Sequence, residues 1–319
     1  MNPRLLFVLR RLGLTIPVLF VMSVVIFLII RLVPGDPVRT MLGFRATPES
    51  VAQVRAQLHL DDPLWTQYRD WLAGVLHGDF GQDFVSKAPL SELLAQRVPV
   101  TLEITLLSML LAVAVGVPLG VRAAVGGRWV RRLTEGFVVF GISVPDFWLG
   151  IMLVLVCAGT MMWLPPSGYV PFMEDPGGNL TYMILPVLTL AVAEAAYIIR
   201  TTRGAMLGVI GRPFIVYLRA KGTKERSIVY RHALRNAATP IATVIGIQFG
   251  VLLGGAIVVE TLFALPGVGR LIVTAINQRN YPVVQAGLFV VATLFILVSL
   301  ITDLVVGFID PQVSDRGDS

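Results

Sequence analysis

Long apolar stretches without a charged residue recur along the chain. Six of them reach or approach about 18 residues, the length at which an apolar run predicts a transmembrane helix: Leu12–Ile30, Ile104–Val121, Phe147–Met173, Pro176–Ala193, Asn236–Val259 and Asn280–Thr302. The pattern predicts six spanning helices, near residues 12–32, 100–121, 134–160, 181–200, 237–260 and 282–308. The third span is the least regular, because Asp146 interrupts it directly after Pro145.

The first apolar stretch has two interpretations. Arg4, Arg10 and Arg11 precede it, as in a secretory signal peptide. The stretch is longer than a typical signal core, however, and no small-residue cleavage site follows it. We therefore expect a retained first span with a cytoplasmic N-terminus.

Composition and charge favour a membrane protein over a nucleic-acid-binding one. Charged residues make up 14% of the chain and hydrophobic residues 55%, whereas about a quarter of a soluble domain is charged. Most of the basic residues behind the net charge of +6 lie in segments 2–11, 122–133, 201–236 and 309–319, which six spans place on one side. The short opposite loops, 161–180 and 261–281, hold only Arg270 and Arg279. This asymmetry is typical of cytoplasmic loops and places both termini in the cytoplasm.

A long insertion of mixed charge, residues 34–99, follows the first span on the opposite, outer side. Thr47 can cap a helix that has Pro48 at its first position. A second helix follows Asp62-Pro63 and ends at Gly78, with an apolar face formed by Trp65, Tyr68, Leu72 and Val75. We predict a small helical subdomain, which is either a structural cap or a docking surface for a soluble binding protein.

The cytoplasmic segment 212–236 reads as two short helices around a glycine. Pro213 can open the first helix, on which Phe214, Tyr217 and Lys221 share a face. Gly222 breaks this helix, and Thr223 can cap a second one with Glu225 in its first turn. The segment is either an amphipathic loop on anionic lipid or a docking element for a cytoplasmic partner.

A few ionisable and polar side chains fall inside the predicted spans. Because a charge in the bilayer centre costs about 2.5–3.5 kcal/mol on insertion scales, each should face a cavity or a partner. Glu103, Glu260 and Asp303 lie near span ends and are expected to reach water. Asp146 lies about 20 Å from Arg132 along a continuous helix, and is the deepest. The positions of the polar residues along the spans single out three candidates for a translocation pathway: Asp146, Glu194 and Gln248.

No motif for catalysis or metal binding is visible. The sequence contains no G-x-x-x-x-G-K-S/T phosphate loop, no His-Glu-x-x-His and no Gly-x-Ser-x-Gly, and its three histidines are scattered. Cys157 is the one cysteine, which excludes an intrachain disulfide. We expect no enzymatic activity, no metal and no cofactor in this chain.

The cytoplasmic segment resembles the corresponding loop of bacterial dipeptide, oligopeptide and nickel ABC permeases, which are binding-protein-dependent inner-membrane components. The resemblance lies in Arg219-Ala220-Lys221-Gly222 and in His232-Ala233-Leu234-Arg235-Asn236. Gly222 and Leu234 match the spacing of the general ABC importer motif. Val216, Tyr217 and Leu218 depart from its Glu-Ala-Ala, and Arg235 stands in place of its final proline.

Further segments resemble the first permease subunit of these importers, in order along nearly the whole chain. They are Pro34-Gly35-Asp36-Pro37, Asp62-Pro63-Leu64, Gly78-Asp79-Phe80-Gly81, Ser143-Val144-Pro145-Asp146-Phe147-Trp148, residues 260–271 and residues 281–285. The resemblance implies an all-α polytopic protein with the type I ABC importer permease fold. Its divisions would be a first span at 1–33, an outer insertion at 34–99, a five-span core at 100–309 and a cytoplasmic tail at 310–319.

The resemblance also implies partners in the bacterial inner membrane. These are a second permease, two cytoplasmic ATPases that hold ATP and Mg²⁺, and an extracytoplasmic substrate-binding protein. Segment 212–236 would couple to an ATPase through Tyr217, Arg219, Ala220, Lys221, Gly222, His232, Leu234, Arg235 and Asn236. Peptides, nickel chelates and glutathione all remain open as substrates. An ion-coupled secondary transporter is the alternative class, although the sequence shows no clear inverted repeat.

Overall fold

The computed structural model of the chain describes residues 3–32, 38, 46–57 and 60–309. Pro34-Gly35-Asp36-Pro37 and the predicted tail 310–319 lie outside the described residues. The helices are α1 (Pro3–Leu32), α2 (Pro48–Gln57), α3 (Leu64–Leu76), α4 (Leu90–Val125), α5 (Arg128–Ser143), α6 (Asp146–Leu153), α7 (Pro176–Ile210), α8 (Pro213–Ala220), α10 (Ala238–Leu262), α11 (Val268–Asn277) and α12 (Tyr281–Ile309). Between α8 and α10 lies α9, a continuous helix made of Glu225–Ser227, the π-helical turn Ile228–Ala233 and Leu234–Asn236. A second π-helical segment, Val154–Thr160, continues α6.

Five helices among the described residues are long and apolar enough to cross a membrane: Val8–Ile29 within α1, then α4, α7, α10 and α12. They confirm the predictions for the first, second, fourth, fifth and sixth spans. Both α4, with 36 residues, and α7, with 35, extend beyond the predicted limits. Their added turns carry charged side chains, such as Glu92 and Arg203, which an apolar window leaves out.

The third predicted span is a broken helix, and the expectation of one helix near 134–160 was wrong. The chain bends by 103° between α5 and the helix formed by α6 and its π-helical continuation. Pro145 lacks an N–H and disfavours helical backbone at the residue before it; Val144 is accordingly extended, at φ −89° and ψ 123°. Asp146 is therefore the first residue of a new helix, and the distance predicted along one helix axis from Arg132 does not apply.

The chain divides into two compact units. The core unit consists of Met1–Leu12, Leu102–Leu265 and Leu297–Ser319, and the insertion unit of Gly13–Thr101 and Pro266–Ile296. In the core unit, α7 packs against α5, α6 and α10. Glycines permit close helix contacts there, as is common in membranes. A Cβ on Gly120 of α4, for example, would lie 2.6 Å from Thr202 Cβ on α7.

In the insertion unit, α3 packs along the part of α1 that belongs to the span. The Tyr68 and Ser23 hydroxyls are 2.8 Å apart and buried, and the Tyr68 ring meets that of Phe27 edge-on. The predicted apolar face of α3 is thus buried at Tyr68 and Val75, while Trp65 is 70% exposed. A second cluster joins Leu90 and Leu94 of α4 to α11 and α12.

Candidate functional site

The turn between α8 and α9 is built around Gly222. This residue has φ +76°, a left-handed conformation in which a β-branched side chain is strained. Its N–H donates to the Arg219 carbonyl at 2.9 Å, and the Thr223 N–H donates to the Leu218 carbonyl at 3.1 Å. This is the Schellman arrangement that satisfies carbonyls at a helix end. The structure confirms the predicted helix, glycine turn and helix.

The start of α9 differs from the prediction that Thr223 caps it. The N-cap position is Lys224, with no side-chain hydrogen bond to the first turn. The Thr223 N–H closes the preceding turn, so the helix begins one residue later than a Thr223 cap requires. Glu225 is in the first turn, as predicted.

An ion pair spans the Gly222 turn and joins α8 to α9. Arg219 Nε donates to Glu225 Oε1 at 2.6 Å, and a second guanidinium nitrogen donates to Oε2 at 3.3 Å. This hydrogen bonding lowers the pKa of the Glu225 carboxyl and raises the pKa of Arg219. The Lys221 ammonium lies 5.0 Å from the centre of the Tyr217 ring, a cation–π distance. The two-pronged ion pair restrains the angle between the helices.

The inner side of both helices is anchored in the apolar core of the spans. Ile215 of α8 and Ile228 of α9 have no exposed surface. They belong to one cluster with Met206 of α7, Val121 of α4 and Ile241 of α10. A displacement of the segment must therefore displace the ends of those spans, because a close-packed apolar core transmits strain.

The face of α8 and α9 that is turned away from the core presents an apolar and basic surface, which we name the coupling surface. It comprises Phe214, Val216, Tyr217, Arg219, Ala220 and Lys221 of α8 and its end, with Tyr230 and Arg235 of α9, all of them exposed. The predicted residues His232 and Leu234 are only partly exposed, and the Asn236 amide is bonded to the His232 carbonyl at 2.7 Å. The sequence analysis missed Val216 and Tyr230, as well as the buried anchors Ile215 and Ile228.

A polar cluster lies inside the core unit, halfway along its long helices. Gln248 of α10 donates to Glu194 of α7 at 2.9 Å, and the two side chains are 9% and 6% exposed. The Asp146 carboxylate approaches this region from the start of α6. Its Oδ2 lies 3.9 Å from where a Cβ on Gly255 of α10 would be. The structure therefore brings together all three predicted pathway candidates, from α6, α7 and α10.

The break between α5 and α6 lies beside this cluster. Pro145 cannot donate a hydrogen bond, and the first N–H groups of α6 have no partner within their own helix. Helix breaks at membrane depth are tolerated where they are buried in protein or line a wet cavity, and in transporters they mark the path of the solute. Two carboxylates and an amide thus form a polar region beside a helix break in the core unit.

Two of the three carboxylates that were expected to reach water are held by partners. Glu103 accepts a 2.9 Å hydrogen bond from Tyr169, and burial together with this bond raises the pKa of Tyr169 to about 12. Asp303 pairs with Arg11 at 2.7 Å. Glu260 has no exposed surface, so the expectation that it reaches water was wrong: the adjoining outer turn, in which its carbonyl accepts from the Leu265 N–H, covers the end of α10.

Comparisons with known proteins agree along nearly the whole chain. Residues 116–315 match the family described as "Binding-protein-dependent transport system inner membrane component", and residues 4–105 match its N-terminal membrane component. The chain is 41% identical over 335 residues to a dipeptide transport system permease protein of Escherichia coli K12, covering 97% of this chain and 99% of the relative. It is 39% identical over 307 residues to a peptide transport system permease protein of Brucella abortus, covering 96% and 98%.

A solved structure of an inward-facing methionine ABC transporter has a similar fold. Its TM-score is 0.58 at 20% identity, and the match covers 68% of this chain and 96% of the other. The likeness confirms the predicted all-α, type I importer permease fold.

Gly222→Val should uncouple transport from ATP hydrolysis. The substitution strains a left-handed backbone by about 1–2 kcal/mol, while open space around the position leaves the neighbours undisturbed. We expect ATPase stimulation by the loaded binding protein to fall in the reconstituted transporter, at unchanged membrane expression. Gly211→Val is the matched control, because Gly211 precedes α8 with an ordinary φ of −77°. Normal stimulation and uptake in Gly222→Val would show that the coupling element is misassigned.

Asp146→Leu should impair transport without impairing membrane insertion. Removing a carboxylate eases insertion, but the polar cluster loses one of its two carboxylates, at the first residue of α6. Uptake should fall about tenfold or more at equal expression, and Asp146→Asn should fall less. Asp175→Leu, an exposed carboxylate without a side-chain capping bond, is the control. Equal uptake by the wild type and Asp146→Leu would show that the Asp146 side chain has no role in transport.

Proposed function

The chain belongs to the family of binding-protein-dependent transport system inner membrane components, and we propose that it is a permease subunit of an ATP-driven importer of peptides. Its helices make it a multi-pass protein of the inner membrane. Two relatives that match nearly its full length are named as peptide and dipeptide permeases. Their names support di- and oligopeptides as the substrates of this chain as well.

The proposed transport mechanism is supported by the way the coupling segment is anchored against the spans. Its coupling surface is exposed, while Ile215 and Ile228 are locked among the ends of α4, α7 and α10. A cytoplasmic ATPase that binds this surface and changes shape would therefore pull on the spans. A flexible loop would absorb the same displacement.

The proposed assembly contains a second, similar permease, two ATPases and an extracytoplasmic binding protein. ATP and Mg²⁺ bind the ATPases, since this sequence has no phosphate loop. The basic loops support an orientation with both termini and the coupling segment in the cytoplasm. The outer insertion at 34–99 would then lie on the side from which the binding protein approaches.

Within that assembly the chain forms half of the translocation pathway. The break before Asp146 and the bonded pair Glu194 and Gln248 provide polar contacts at mid-membrane depth. A peptide needs such contacts because its amides and charged termini lose water on entering an apolar path. Movement of α7 and α10, which carry both the anchors and the polar cluster, would open or close this path.

The proposal is tested by reconstitution into lipid vesicles. The chain alone should hydrolyse no ATP, and the complete assembly should take up a radiolabelled dipeptide only with ATP and binding protein. ATP turnover by the purified chain above that of empty vesicles would contradict the assignment of ATP hydrolysis to the partner ATPases. Uptake driven by an ion gradient without the ATPases would show a secondary transporter, and uptake of only a nickel chelate or glutathione would overturn the peptide substrate.

A further inference from the structure

A polar cleft opens in the core unit where three spans end or begin. Its volume is about 830 Å³. Gly208 near the end of α7, Thr239 at the start of α10 and Ile309 at the end of α12 line it. Arg212 and Arg235, from the two ends of the coupling segment, line it as well.

The two arginines give the cleft an uncompensated positive charge. Arg212 is the N-cap residue of α8, and Arg235 is in the last turn of α9. Both are exposed, and neither forms an ion pair within the part of the chain that the structure describes. An anion is the complementary ligand.

The position of the cleft indicates what kind of anion reaches it. Arg212 follows the end of α7 at Ile210 by two residues, and Arg235 precedes the start of α10 at Ala238 by three. These are the limits of two spans, on the side that carries the basic loops. Phosphate groups of lipids lie at this level of a bilayer, and basic pockets between spans on the cytoplasmic side bind anionic headgroups. Val209 and Ile309 supply apolar surface for the adjoining glycerol and acyl carbons.

We propose that this cleft binds the headgroup of an anionic phospholipid, with the phosphate between Arg212 and Arg235. The site shares Arg235 with the coupling surface but does not include the exposed face of α8, and it does not depend on which solute the protein transports. Bound lipid would neutralise two positive charges at the ends of the coupling segment. The segment would thereby be joined to the membrane at both ends.

The test is native mass spectrometry of the full-length chain, purified in detergent with equal amounts of phosphatidylglycerol and phosphatidylcholine. Phosphatidylglycerol should remain bound in preference to phosphatidylcholine. Arg212→Gln and Arg235→Gln should each reduce its retention roughly fivefold, the effect of one basic residue near anionic lipid. The double variant Arg128→Gln/Arg131→Gln is the control, because both residues are exposed in the first turn of α5 and neither lines the cleft.

A pair of uncharged variants tests whether a side chain that fills the cleft prevents lipid binding. Gly208 and Gly204 lie one turn apart on α7, and open space surrounds both positions. Only Gly208 lines this cleft. Gly208→Leu should reduce phosphatidylglycerol retention, and Gly204→Leu should not.

Three results would overturn the proposal. Equal retention of the two lipids by the wild-type chain would show that the cleft does not select an anionic headgroup. Equal losses in the cleft variants and their controls would show a general charge or folding effect. Displacement of the lipid by excess inorganic phosphate would identify a site for free anions.

Discussion

The burial of Ile215 and Ile228 fixes the coupling segment to the membrane core. These two side chains hold the coupling segment against Val121, Met206 and Ile241, at the ends of three different spans. The Arg219–Glu225 ion pair is exposed and restrains the angle of the turn, but water and salt screen an exposed pair, so it contributes little to stability. Close packing of apolar side chains is therefore what turns two short helices into a rigid part of the membrane core.

The same helices join the cytoplasmic anchor to the mid-membrane polar cluster. On α7, Glu194 and Val209 are separated by about 22 Å at the rise of an α-helix. α10 carries Gln248 and the anchor contact Ile241. Since both helices are continuous between these positions, a displacement at the coupling surface reaches the cluster without an intervening loop. The break before Asp146 lies beside the cluster, and the chain already changes direction there by 103°.

Apolar run length and local rules predicted much of this architecture from the sequence. Five spans, the start of α8 at Pro213 and the turn at Gly222 each follow from residues within a few positions of the feature. The length of the apolar run predicted one helix across Pro145. The backbone restriction before proline instead bends the chain there by 103°. The Glu194–Gln248 contact joins residues 54 positions apart, and the burial of Ile215 depends on three other helices, so neither follows from local pattern.

The rigidity of the coupling segment against α7 can be measured directly as a distance by pulsed electron paramagnetic resonance. Spin labels would be placed at Val216→Cys, on the exposed coupling surface, and at Gly204→Cys on α7, where a side chain meets open space. Cys157→Ser removes the native thiol. In the reconstituted transporter, we predict one narrow distance distribution that stays the same in nucleotide-free and ATP-trapped states. A distribution that shifts or broadens on ATP binding would show that the segment moves independently of the spans, and would exclude rigid coupling of the segment to α7.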